Sequence, residues 1–284
     1  MKFPHPKNSR QYFIFKDKNF VNVFNENEKY KVLVYSENFD GWNDNLTKMK
    51  EAIEINNHPI DTSSVKLCQY ILDTYVNKKD NIILEIGCLN GELTRKIIEN
   101  KRYQYIGSDA SQINVFKLAE KFKDTPFIVF DITQNPFKNN ICDVLIMLNV
   151  LEHINDDDLA LNQAYKLLNH KGTLIIEVPA GKILYDDYDK ELLHFRRYNS
   201  KEIIKKLLNA GFLIEKITHL GFFTYPIFFL IKLFNKFFKI KNIVENETKI
   251  SNNFLIKFLF YIELKLFKLN LPFGIRTVIC AKKN

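Results

Sequence analysis

From Asn81 onward, short and strongly apolar runs alternate with stretches in which apolar side chains recur at three- and four-residue intervals. The runs NIILEI (81–86), YQYIGSD (103–109), PFIVFD (126–131), CDVLIML (142–148) and GTLIIEVP (172–179) read as strands. Helices are expected between them, over about 91–100, 112–123, 157–168 and 200–210. Strands this apolar, spaced by helices, predict a parallel sheet covered on both faces. NAGFLIEKITHLGFF (209–223) then predicts a sixth strand led in by a glycine turn, and FGIRTVICAKK (273–283) a seventh.

The flanking regions follow other patterns. Residues 1–60 carry the runs YFIF, FVNVF and YKVLVY between polar turns, which read as short strands on an N-terminal extension. After HPIDTSS a helix is expected over about 63–76, with Asp61 or Thr62 as its cap, because Val65, Leu67, Cys68, Ile71 and Leu72 recur near helical spacing. The chain thus divides into an extension (1–60), an α/β core (61–222), an amphipathic helical insertion (223–270) and a last core strand (271–284).

Composition narrows the chemistry. A chain of 284 residues with 46% hydrophobic content can bury an ordinary core. Cys68, Cys88, Cys142 and Cys280 are isolated, with no Cys/His cluster, so neither a disulfide framework nor a bound metal is expected. The start MKFPHPKNSR lacks the apolar segment of a signal peptide, and a cytoplasmic location is the expectation. The net charge of +8 is compatible with nucleic acid, an anionic membrane surface or a general lysine bias, so its distribution matters more than its total.

The candidate chemistry begins at EIGCLNGELT, Glu85 to Thr94. In a doubly wound sheet, ligands bind at the carboxyl ends of the strands where strand order reverses, and this loop follows the first core strand. Gly87 suits a tight turn and Gly91 a close helix start, whereas the GxGxxG loop that cradles a pyrophosphate is absent. Asp109, 22 residues after Gly87, ends the next strand, where a carboxylate can accept hydrogen bonds from two ribose hydroxyls. Asp131 ends the third strand in VFDIT.

With LEIGCLNG, IGSDAS, FDIT, CDVLIMLNVLEHI and GTLIIEVP in this order, the chain resembles the class I S-adenosylmethionine-dependent methyltransferases over about residues 80–220. The resemblance implies a Rossmann-like, seven-stranded, mostly parallel sheet with a reversed last strand. It implies that Glu85, Gly87, Cys88 and Gly91 shape the loop around the methionine part of S-adenosylmethionine, and that Asp109 and Ala110 meet the ribose. Asp131 and Ile132 would face the adenine, and Leu148 and Asn149 would floor the sulfonium. Leu89 stands where the family has a glycine, and because leucine is strained at positive φ it is expected to keep ordinary backbone angles with its side chain turned away from the cofactor.

Two stretches carry the acceptor side. NVLEHI sets Glu152 and His153 past the fourth strand, and DKELLHFRRYNSKEI (189–203) resembles a D…GH.RRY signature of a methyltransferase subset, with Leu193 in place of glycine. His153 and His194 are candidate bases or structural histidines. Arg196, Arg197 and Tyr198 either recognise an anionic or polyhydroxylated acceptor or tie a lid to nearby acids such as Asp186 and Asp187.

In the insertion no run reaches the length of a membrane span. Eight lysines against three glutamates over 221–270 concentrate the positive charge there; Lys232, Lys236 and Lys239 share one helical face, and Asn253, Lys257, Tyr261, Lys265 and Lys268 form a second stripe. That pattern suits a helix pair on an anionic membrane, or a solvated helical cap. The expected partners are therefore a small or lipid-linked acceptor, such as a glycan intermediate or a prenylated ring, and an anionic membrane surface through 223–270. Nucleic acid is disfavoured, because QNPF (134–137) precedes the fourth strand and lacks the second proline of an NPPY-like stretch. A non-catalytic binding module that keeps the fold is the competing reading, favoured by Leu89 and Leu193.

Overall fold

The computed structural model describes residues 2–5, 8–14, 21–24, 31–35, 47, 58–76, 81–238, 253–266 and 269–284. Strands β1 (Lys2–His5) and β2 (Asn8–Ile14) pair as a separate antiparallel hairpin. The core follows as β3 (Val21–Phe24), β4 (Lys31–Val34), α1 (Pro59–Tyr75), β5 (Ile82–Ile86), α2 (Glu92–Asn100), β6 (Gln104–Asp109), α3 (Gln112–Lys121), β7 (Phe127–Val129) and β8 (Cys142–Leu148). It continues through α4 (Asp157–Leu167), β9 (Leu168–Pro179), α5 (Asp187–Glu191), α6 (Ser200–Asn209), β10 (Phe212–Leu220), α7 (Tyr225–Phe238), α8 (Phe254–Lys265) and β11 (Arg276–Lys283).

The sheet order is β10-β11-β9-β8-β5-β6-β7-β4-β3. Strand β11 runs antiparallel to both β9 and β10, so the reversed last strand of a Rossmann-like methyltransferase sheet is present. The sheet has nine strands rather than seven, because two come from the extension: β4 adds in parallel to β7, and β3 pairs antiparallel with β4. The physical reason lies in VLV, where Val32, Leu33 and Val34 are all buried and need cover on both faces.

Alternation within the strands divides the core in two. Leu84, Leu145, Met147 and Ile176 join one apolar cluster with residues of α4 and α6, while Ile83, Val144, Ile146 and Ile175 join the other with residues of α1, α2 and α3. Each fully buried aliphatic side chain contributes about 1.5–3 kcal/mol, which is why strands carrying these runs occupy the middle of the sheet. Helix α1 starts at Pro59 and is capped by His58 Nδ1, which accepts from the Ile60 amide; the expected caps are not used, and Asp61 pairs with Arg276 instead. Helices α7 and α8 form the insertion, and among the described residues no helix is long and apolar enough to cross a membrane.

Candidate functional site

The carboxyl ends of β5, β6, β8 and β9 open on three adjoining cavities. The first, about 270 Å³, is lined by Glu85, Gly87, Cys88, Leu148, Asn149 and Arg276 among others. The second, about 60 Å³, is lined by Gly87, Asp109, Ala110, Asp131, Ile132 and Val150 among others. The third, about 150 Å³, has Glu152, His153, His194 and Arg197 at one end and Ile227, Phe228, Ile231, Ile256 and Phe260 of α7 and α8 along its wall. Leu89 and Asn149 border all three.

The loop after β5 is a tight turn. The amides of Gly87 and Cys88 both donate to Ser108 O, at 2.8 and 3.0 Å, and Gly91 N donates to Cys88 O at 2.8 Å. Gly87 and Gly91 sit at φ 79° and 74°. A Cβ on Gly91 would lie 2.4 Å from Leu118 Cδ2, so this glycine lets α2 approach α3 and stands behind the cavity wall rather than on it.

Leu89 departs from expectation on both counts. Its φ is +42°, in the left-handed region, and it borders the cavities instead of turning away from them. The cause is the hydrogen bond that its amide donates to Asp109 Oδ2, 2.9 Å away, within a turn otherwise closed by glycine geometry. Holding a leucine there costs about 1–2 kcal/mol. Asp109 also accepts from Ser111 N at 2.8 Å and is nearly fully buried, so one carboxylate fixes the loop and borders the second cavity. Asp131 Oδ1 caps the short helix Ile132–Gln134 by accepting from Thr133 N at 2.8 Å.

Asn149 is left-handed too, at φ 53°, and is held by Glu177: its amide donates to Glu177 O at 2.9 Å and its Nδ2 to Glu177 Oε1 at 2.7 Å. Glu177 is completely buried, and the same oxygen accepts from Ser64 Oγ (2.7 Å) and Arg276 (2.9 Å), whose other nitrogen pairs with Asp61 at 2.6 Å. Burial alone would lower the Arg276 pKa, but Asp61 and Glu177 outweigh it and hold the guanidinium charged. None of Ser64, Glu177 and Arg276 was expected at the site. For Glu177 and Arg276 the signal was an ionisable residue in an otherwise apolar strand, as in LIIEVP and GIRTVIC; Ser64, on helix α1, carried none.

Glu85 accepts from Thr94 Oγ1 at 3.1 Å and forms a very short bond with Tyr105 Oη. Burial raises its pKa to about 7, against the lowering effect of those two donors. The folded state then holds this proton more tightly than the unfolded state, so the contribution is present below pH 4.5 and is lost as pH rises to about 7. Over that window Glu85 is expected to withdraw about 3 kcal/mol of stability. Urea unfolding at pH 5 and pH 7.5 checks this, since Glu85→Gln should flatten the difference by a comparable amount.

At the third cavity, Arg197 and His194 meet Asp189. Arg197 Nε donates to both Asp189 oxygens at 2.9 and 2.8 Å, and His194 Nδ1 lies 2.8 Å from Oδ1. These partners overcome burial and hold the Asp189 carboxyl well below its usual range. Arg196 and Tyr198 lie outside the third cavity. Arg196 pairs with Asp157 at 3.0 Å and with Asn155 O, and the fully buried Tyr198 donates to Asp157 Oδ2 at 2.8 Å, so both tie the lid to the start of α4. The acids used are therefore Asp157 and Asp189, not Asp186 and Asp187. Leu193, like Leu89, holds a left-handed φ of 57° where a glycine is usual.

Asp186 instead receives Lys232 of α7 at 2.8 Å, both nearly fully buried, with the ammonium 4.1 Å from the Tyr188 ring centre. Lys232 is thus not part of an outward basic stripe, because α7 docks through it on Asp186 and Tyr188 at the start of α5; Lys239, Lys268 and the side chain of Lys236 lie outside the described residues. The outward faces of α7 and α8 expose Leu230, Phe234, Phe254, Phe258 and Tyr261 beside Lys257 and Lys265. The structure also joins Glu152, His153 and His194 into one cluster of potential metal ligands, which no sequence spacing indicated.

A family model described as a methyltransferase domain matches residues 62–224, more than half of the chain. An uncharacterized protein of Methanocaldococcus jannaschii is 33% identical over 108 residues, 38% of this chain and 45% of that protein. The tRNA U34 carboxymethyltransferase of Aliarcobacter butzleri is 29% identical over 111 residues, 38% of this chain and 36% of that protein. The chain thus spans less than half the length of these curated relatives. Among solved structures, the 1,6-didemethyltoxoflavin-N1-methyltransferase of Burkholderia thailandensis, holding S-adenosylhomocysteine, has a TM-score of 0.54 at 13% identity and covers 84% of each chain.

The first two cavities fit S-adenosylmethionine in kind. The glycine turn leaves the loop backbone at their border, Asp109 presents a buried carboxylate beside the second, and neither contains a phosphate cradle.

Proposed function

Because the chain belongs to the methyltransferase-domain family, whose cofactor is S-adenosylmethionine, we propose that it transfers the sulfonium methyl group to an oxygen at the polar end of an apolar, small or lipid-linked acceptor. The observation that carries this reading is the third cavity. Its wall along α7 and α8 is aliphatic and aromatic, Glu152, His153 and His194 cluster among its polar residues with the paired Arg197 and Arg276, and it meets the cofactor cavities at Leu89 and Asn149.

In that arrangement the acceptor oxygen attacks the methyl carbon in line with the breaking S–C bond, S-adenosylhomocysteine leaves, and the hydroxyl proton is released to water. Holding the two reactants in line supplies most of the rate, and the insertion helices do so from the acceptor side. Arg197 is already neutralised by Asp189, which favours an uncharged oxygen acceptor over a carboxylate or phosphate. The exposed apolar residues of α7 and α8, with Lys257 and Lys265, support delivery of a lipid-linked acceptor from an anionic membrane surface.

Turnover with isotope-labelled S-adenosylmethionine tests this reading, using a polyprenylated hydroxyarene in anionic vesicles and its tail-less analogue. Label is expected in the prenylated compound at least tenfold faster. Equal rates would remove the lipid-linked acceptor. Cofactor binding without methylation of any hydroxylated acceptor would favour the non-catalytic binding module. The name of the Aliarcobacter relative raises tRNA as a second acceptor, which labelled tRNA in the same assay would reveal.

A further inference from the structure

Glu152 and His153 belong to the short helix Leu151–His153 and are 0% and 5% exposed. His194 arrives from the turn after α5, where His194 N donates to Asp189 O at 2.8 Å. One ligand atom from each of Glu152, His153 and His194 lies within 4.8 Å of the others. The two imidazoles meet edge to face, with centroids 4.6 Å apart and planes at 80°, rather than stacked.

The surroundings of His194 are those of a metal-binding histidine. Its Nδ1 faces Asp189 Oδ1, and that carboxylate is itself clasped by Arg197 Nε, so the ring is held in one orientation with Nε2 as the nitrogen remote from Asp189. Two imidazoles and one carboxylate, with the remaining positions open to a cavity, form a donor set for a divalent transition cation. Calcium and magnesium prefer oxygen ligands and do not suit it.

We propose that Glu152, His153 and His194 bind a divalent transition cation at the polar end of the third cavity, with Asp189 as a positioning residue. Cation binding rests on these side chains alone, and the cation's role rests on the oxygen-acceptor reading above. The open coordination positions face the acceptor cavity. A hydroxyl that coordinates there loses its proton to water more readily, as a zinc-bound water does when its pKa falls to about 7. Its oxygen then forms the new O–C bond as the S–C bond breaks. The sulfonium charge is discharged, and the leaving group is the neutral thioether of S-adenosylhomocysteine.

Tag-free protein stripped with a chelator and titrated with Co²⁺ tests the site without any acceptor. One equivalent is expected to bind and to give visible d–d bands of a low-symmetry N/O site, which Zn²⁺ should abolish. His153→Ala and His194→Ala should each weaken Co²⁺ at least tenfold. Asp189→Asn should weaken it about tenfold at unchanged stoichiometry, as an outer partner of a ligand does. The urea-unfolding midpoint serves as the folding control, and Glu152→Gln replaces any variant that fails it. Absence of stoichiometric Co²⁺ binding to the wild type, or binding undiminished in the ligand variants, overturns the site. Methyl transfer at full rate by metal-free protein overturns the cation's role while leaving the proposed function intact. Co²⁺ bound as described with no methylated acceptor supports the site while removing the proposed function.

Discussion

Asp109→Ala is expected to weaken S-adenosylmethionine binding by at least a hundredfold. Asp109 is almost fully buried at the end of β6, holds the amides of Leu89 and Ser111 at 2.9 and 2.8 Å, and borders the second cavity. Charge-assisted hydrogen bonds of this kind are worth about 1.5–3 kcal/mol each, and every 1.4 kcal/mol is a factor of ten. The substitution removes the proposed acceptor for the ribose hydroxyls together with the bond that holds Leu89 in its left-handed turn, so recognition and loop shape are expected to fail together. Asp109→Asn keeps one acceptor oxygen and should lose less. Calorimetric titration measures both variants; affinity within threefold of wild type for the alanine variant would show that the ribose is held elsewhere.

Arg276→Met should cost about 3–5 kcal/mol of stability, because it leaves the completely buried Glu177 without its cation. Asp61 loses the same partner but is partly exposed, so its share is small. Asn149 depends on Glu177 for its backbone angle, and weaker cofactor binding should accompany the loss. Adding Glu177→Leu should recover much of the stability, since replacing a buried pair by apolar groups is far less costly than breaking it. Equilibrium urea unfolding decides: a loss below about 1 kcal/mol in the single variant would mean that the pair is solvated rather than buried.

The residues expected at strand ends were legible because strands buried on both faces leave long apolar runs, and where such a run stops at Asp109 or beside Asp131 the chain emerges at the sheet's carboxyl edge. Leu89 was misread for a reason internal to that logic. Steric preference argued against positive φ, but the turn is fixed by Asp109, Ser108 and Cys88, and their combined hydrogen bonds outweigh the penalty on one residue. Lys232 was misread because helical periodicity places a residue on a face without saying what the face meets. Here it meets the Asp186 carboxylate and the Tyr188 ring.

The sequence by itself determined the alternation of strands and helices, the glycine turn, the acids beside it and the amphipathic character of the insertion, because each depends on neighbours within a few residues. Only the tertiary structure decided that Arg276 meets Glu177 across 99 residues, that Glu177 in turn fixes Asn149, and that His194 joins Glu152 and His153. It also decided that β4 extends the sheet and that the insertion walls the third cavity. Those juxtapositions follow from strand order and from the docking of α7 on the lid. Local periodicity carries no record of which distant segment will bury a given face or neutralise a given charge.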